Sequence, residues 1–258
     1  LAVLGPDHLF SDAVLLRPCR TVTHFLRETH YPHDVTCATR LIAVSAQTYR
    51  LVTGLFQQGE CVGVQDCLIG AWHADRWVAL PDDVRGALEH SRAADDVLVS
   101  DWPPMPPEHV AMTGYPAESE ISGRYADLDP DVVIGELALS RYIEQSRAGS
   151  LKPIRNDPAL GMLVASVDLS YHRWHHGRAN VRVVCGLDRI GNSSFALAGA
   201  AAVGEERLVT ARSTMVLIDR EKRRPTPIDD DLRASMAPLF IADESAGDER
   251  TACGTPGG

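Results

Sequence analysis

The sequence predicts an α+β fold made of one module used twice, each module a long helix wrapped by an antiparallel sheet. Three observations predict it. The chain repeats itself: moved by 146 positions, residues 25–81 fall on residues 171–227, with Arg27 on Arg173, His30 on His176, Val35 on Val181, Leu51 on Leu197 and Pro81 on Pro227. Both copies carry successive apolar, β-branched runs separated by short turn signals, the pattern of an antiparallel meander. Ahead of the second meander, residues 132–147 place apolar side chains at helical spacing. The period exceeds the roughly 20–50 residues of solenoid units, so a whole module has been duplicated.

In the first copy, residues 35–41, 48–56 and 61–72 read as strands, the second closed by Gly59 and Glu60. In the second copy the corresponding runs are 181–187, 193–203 and 208–218, closed by turn residues 188–192, by Gly204 and Glu205, and by the charged, proline-containing stretch 219–227. Residues 118–125 alternate like a strand. The helix that follows carries Val133, Leu137 and Ile143 with a packing face around Leu139 and Tyr142. One helix with one apolar face buries that face only if the sheet curls around it. The boundaries follow: a first module over 1–100, a proline-rich linker over 101–117, a second module over 118–240, and a tail over 241–258 with few apolar anchors. The first copy shows no counterpart of the opening strand and little of the helix. Residues preceding Leu1 are expected to supply them; the rival reading is a shortened helix over 7–16.

A chain of 258 residues holds one large or two modest domains with cores of their own. A net charge of −10 argues against broad nucleic-acid binding, which needs Lys and Arg to neutralise phosphates, but leaves room for a local basic patch. No apolar run reaches the roughly 18 residues of a membrane span. Six cysteines without a C-x-x-C pair fit reduced thiols and a cytoplasmic setting. The G-x-S-x-G elbow, G-x-G-x-x-G and the P-loop are absent, which removes the routes they serve.

A carboxylate just before a helix N-terminus sits beside unpaired N–H groups and the positive end of the helix dipole. An ester carbonyl docked on those groups is polarised, and the acid can attack it or activate water. Asp127 and Asp129 occupy that place here, although Asp is equally a common cap or turn former.

The order Tyr125, Asp127, Asp129, Pro130, then Tyr142, Glu144 and Arg147 on the helix, then residues 190–194 in the meander, resembles the hotdog-fold acyl-CoA thioesterases of the 4-hydroxybenzoyl-CoA thioesterase type and their double-hotdog forms. The resemblance implies a tandem hotdog that hydrolyses a fatty acyl-CoA or related acyl thioester, carrier-protein thioesters included, to free acid and CoA, in lipid metabolism and without a cofactor or metal. It makes Asp129 the nucleophile or base and Asp127 its more structural neighbour. Ser193 and Ser194 could reach the thioester or pantetheine, or simply form a turn. Arg173 and Arg178 could hold CoA phosphates, while His172, His175 and His176 lack partners at metal spacing. Leu137 and Leu139 would line an acyl tunnel, and whole chains could pair into a homo-oligomer. The chain departs from the family where relatives carry Gly-His-x-Asn-Asn: it reads Asp131-Val-Val-Ile-Gly135. Three alternatives stay open: a non-catalytic acyl-CoA-binding protein, a dehydratase or hydratase in which His30, His33 or His176 faces Asp129, and a purely structural hotdog unit whose cleft has closed.

Overall fold

The alternating runs of both copies become strands of one sheet. The computed structural model describes residues 14–92, 112–151 and 157–242. In order, the elements are β1 (Leu15–Phe25), β2 (Val35–Val44), β3 (Thr48–Gln57), β4 (Glu60–His73), β5 (Arg76–Val78), α1 (Asp82–Ser91), β6 (Ala117–Ser122), a 3₁₀ turn (Tyr125–Asp127), α2 (Glu136–Ser150), β7 (Leu160–Tyr171), β8 (Asn180–Ile190), β9 (Ser194–Val203), β10 (Glu206–Asp219), β11 (Arg224–Pro225) and α3 (Asp230–Met236). Each of β1 to β4 has its counterpart 146 positions on, in β7 to β10, to within one residue at its start.

The sheet runs β2-β3-β4-β1-β7-β10-β9-β8-β6, with β5 beside β4 and β11 beside β10, and every pairing is antiparallel. The copies meet at β1 and β7. There Val22 lies opposite its own repeat equivalent, Asp168, while Arg20 faces Ser170 and His24 faces Ser166. The pairing is therefore symmetric about the Val22/Asp168 pair, as a local two-fold relation between copies requires. Arg20 is 1% exposed and spans this seam. Its Nε donates to Asp168 Oδ1 at 2.9 Å and its Nη2 to Oδ2 at 2.5 Å, the two-pronged geometry that suits a buried guanidinium.

α2 is the long helix of the second copy. Leu139, Tyr142 and Ile143 bury its inner face against Leu169, Tyr171, Val181, Val183, Leu208 and Val209. Ala200, Ala201 and Ala202 keep the β9 surface low enough for the helix to lie close. α1 covers part of the first copy, with Val84 and Leu88 on Tyr49 and Ala71. α3 begins where the Asp229 side chain accepts the Leu232 N–H at 2.8 Å.

Several boundaries differ from the sequence reading. The helix predicted over 132–147 is Glu136–Ser150, because Val132 has φ +60° and Val133 and Ile134 pair as extended backbone before Gly135 caps the helix. The strand predicted over 118–125 stops at Ser122, and Tyr125–Asp127 turn instead. β1 and β7 went unread because β1 carries Arg17, Pro18, Arg20 and His24, which break the alternation. Of the alternative helix over 7–16, residues 15 and 16 lie in β1, and the rest, bar residue 14, fall outside the described residues. So do most of the linker, nearly all of the tail, and Cys253. The five cysteines among the described residues are free thiols. No described helix is long and apolar enough to cross a membrane.

Candidate active site

The stretch between the 3₁₀ turn and α2 is held by its own carboxylates. Asp127 is 4% exposed. Its Oδ2 accepts the Arg124 N–H at 2.8 Å, Arg124 Nε at 3.1 Å and the Tyr142 hydroxyl at 2.8 Å, and its Oδ1 accepts Arg124 Nη2 at 2.8 Å. Those donors, the Arg124 side chain foremost, hold the carboxyl down at about 2, from an ordinary 3.8. A depressed folded-state pKa contributes stability above the unfolded value and loses it as pH falls through the folded one. The wild type should therefore lose melting temperature between about pH 4 and pH 2 more steeply than Asp127→Asn, in thermal scans across that window.

Two residues on, Asp129 is equally engaged. Its Oδ1 accepts the N–H groups of Asp131 at 3.0 Å and Val133 at 3.3 Å, and its Oδ2 accepts Arg17 Nη1. Arg17 belongs to β1, in the other copy, and its Nη2 also reaches Asp131 Oδ2 at 2.5 Å. The guanidinium lies over the Trp174 ring, 5.0 Å from its centroid, and Trp174 stacks on Tyr171 at 5.2 Å. The turn itself closes through Val132 N–H to the Asp129 carbonyl at 3.0 Å. It puts a β-branched residue, Val132, in the left-handed region at φ +60°. Val132 is 56% exposed, so Val132→Gly gives up little burial. Relief of the left-handed clash should stabilise the fold by about 1 kcal/mol, readable in urea unfolding.

Gly135 then starts the helix. A Cβ on it would come within 3.3 Å of Asp129 Cβ, so a side chain would crowd the turn. Having none, it caps no N–H group. The first N–H groups of α2 lack intrahelical partners and remain for a ligand.

Glu136, the first helical residue, opens onto a cleft of about 1120 Å³ between α2 and the sheet floor at the seam. Thr21, Cys67, Leu137, Val167 and Tyr171 line it too. The surrounding walls desolvate the Glu136 carboxyl and raise it above the usual range; Arg17 opposes that rise and Asp129 adds to it. Burial pushes the Tyr171 hydroxyl up; the Thr21 side chain opposes that rise and the Glu136 charge adds to it. Burial pushes the Cys67 thiol up to about 12, so it is not a nucleophilic thiolate near neutral pH. Among the described residues, no cluster of His, Cys, Asp and Glu is arranged to hold a metal ion.

The predicted site residues divide. Leu137 stands in the cleft wall, 59% exposed. Leu139, expected beside it, is fully buried in the core on the opposite side of the helix. Asp127 and Asp129 pack behind the wall, with their oxygens filled as described. Ser193 ends the β8–β9 turn and Ser194 opens β9, and their carbonyls accept Leu217 and Gly191 N–H groups at 2.9 and 2.7 Å. That turn neighbours the far end of α2, beside the cluster holding Leu151, Phe195 and Leu197. A 15-residue helix puts it about 22 Å from Glu136. Arg173 lies 3.6 Å from Glu206, and Arg178 is exposed; neither lines the cleft. The histidine-rich segment is tied by its backbone, with Ile134 N–H donating to the His175 carbonyl at 2.9 Å and Gly177 N–H to the Val132 carbonyl at 2.8 Å, and by the His172 ring, 3.0 Å from the Thr210 hydroxyl. His30 and His33 are tied by Gln57, and among the described residues no histidine bonds Asp129.

Sequence reasoning passed over Glu136 as one polar residue among the helix's exposed positions. The available signal was an acid in the first turn directly after a glycine cap. Arg17 had no local signal, since its partner lies 112 residues away.

Two solved structures superpose over most of the chain. A 12:0-ACP thioesterase from Umbellularia californica matches with a TM-score of 0.69 at 16% identity, covering 84% of this chain and 76% of that one. The fold is that of acyl-ACP thioesterases. One from Bacteroides thetaiotaomicron matches with a TM-score of 0.59 at 12% identity, covering 83% of this chain and 81% of that one. No protein-family model and no curated protein sequence matches the chain. At these identities the likeness concerns the hotdog thioesterase fold and its large antiparallel sheet.

Proposed function

We propose that the protein is a double-hotdog thioesterase that hydrolyses an acyl thioester of CoA or of a carrier protein to the free acid and the thiol, with Glu136 as its base. The observation that carries this is the placement of Glu136: an acid with a raised pKa, at a helix start that has a glycine cap and no side-chain cap, on the wall of a cleft large enough for an acyl chain. The shared fold with acyl-ACP thioesterases supports it.

The chemistry follows from that placement. The thioester carbonyl docks on the free N–H groups of α2, which polarise it. The Glu136 carboxylate takes a proton from water as the water oxygen bonds to the carbonyl carbon. The oxyanion then collapses, the C–S bond breaks, and Glu136 returns the proton to the departing sulfur. Asp129 holds Arg17 and the turn in place, a positioning role, and Asp127 anchors the turn to Tyr142. The two copies serve as the two modules, bounded as the sequence suggests, with one working site at the second copy's helix start.

A second reading keeps Asp129 as the base, favoured by its charge lying close enough to raise Glu136. Thiol release from acyl-CoA and acyl-carrier-protein panels separates the two. Glu136→Gln should abolish most release, and Asp129→Asn should leave a measurable fraction. The reverse ranking moves the base to Asp129, and no release from any thioester by the wild type sinks the hydrolytic reading.

A further inference from the structure

The floor of the cleft straddles the seam, and its polarity changes there. Thr21 lies opposite Leu169, and Thr23 opposite Val167. These four are also repeat equivalents of one another, Thr21 of Val167 and Thr23 of Leu169. All four line the cleft, as does Gln65 on β4 beside Thr23. The same structural positions are thus polar in one copy and apolar in the other. The Gln65 amide donates to Thr23 Oγ1 at 3.3 Å, which fixes both side chains. That bond leaves the Thr23 hydroxyl proton, the Gln65 carbonyl and a second amide proton for other partners. Gln65 is exposed and Thr23 half-buried, so a ligand reaches them. The Thr21 side chain is close enough to Tyr171 to act on its hydroxyl. Thr23 stands one strand repeat, about 7 Å, farther along β1. A saturated chain lying there would cover Thr23 and Gln65 without replacing the water they lose, which costs binding.

We propose that the cleft selects acyl groups bearing a hydroxyl or oxo oxygen along the chain over their saturated counterparts, with Thr23 and Gln65 as the selecting residues. The inference rests on the cleft being the acyl site. Its test uses CoA thioethers, which cannot be hydrolysed, so that it stands apart from catalysis. Matched decanoyl-length thioethers, saturated or carrying a hydroxyl or oxo group at successive carbons, are titrated calorimetrically into the intact protein. At one or more positions the oxygenated ligand should bind about tenfold more tightly. Combining Thr23→Val with Gln65→Leu should erase the difference, weakening the oxygenated ligand and strengthening the saturated one. Equal or weaker binding of every oxygenated ligand overturns the proposal, and so does a preference that survives the double substitution. A retained preference without hydrolysis of the matching thioester sinks the hydrolytic reading alone.

Discussion

Glu136→Gln should lower kcat/KM for acyl thioesters about a hundred- to ten-thousandfold, the usual contribution of a positioned general base. The change is nearly isosteric at an accessible position, so the melting temperature should move little, as for most surface substitutions. The pH profile gives a sharper reading. A base must be unprotonated, so activity should fall on the acid side as pH drops through the Glu136 pKa. Desolvation by the cleft walls raises that pKa, which places the acid limb above that of an ordinary glutamate. Arg17 lowers it and Asp129 raises it. Arg17→Met should therefore move the limb to higher pH and Asp129→Asn to lower pH. Limbs that stay fixed in both variants would remove Glu136 from the role.

Asp168→Ala should destabilise the protein by about 1.5–3 kcal/mol, because it takes away the two oxygens to which Arg20 Nε and Nη2 donate across the seam. That is a large share of the roughly 5–15 kcal/mol by which folded domains are stable. Urea unfolding of the single variant and of Arg20→Met combined with Asp168→Leu provides the check. The pair of apolar replacements should recover most of the loss, since removing both charges also removes their desolvation cost. A single variant as stable as the wild type would mean that the ion pair does not hold the seam.

Legibility in the sequence followed the range of the interactions. The strands starting at Val35 and Val181 were readable from their local runs of apolar and β-branched residues bounded by turn signals, although the first is exposed along most of its length and the second is buried on both faces over its middle. β1 was not, since its Arg17 and Arg20 are explained only by Asp129 and Asp168, more than a hundred residues away. The helix was readable from its buried face, but its first turn was not. Val132 to Ile134 look helical by composition, but the closed turn holds Val132 in the left-handed region and bridges to His176 and Leu128 hold Val133 and Ile134 extended. The same limit applied to the site. Asp127 and Asp129 draw notice as a motif, yet whether a carboxylate faces a ligand or a neighbouring arginine depends on what packs behind it.

The repeat, the antiparallel strands and the acid-rich approach to a central helix were determined by the sequence alone, because each arises from local periodicity or from identity between copies. Which acid opens into the cleft, and where its polar and apolar halves lie, was decided by the tertiary structure. Both depend on the β1–β7 seam, which brings Arg17, Thr21 and Thr23 of one copy against Glu136 and Tyr171 of the other. No spacing rule encodes that juxtaposition.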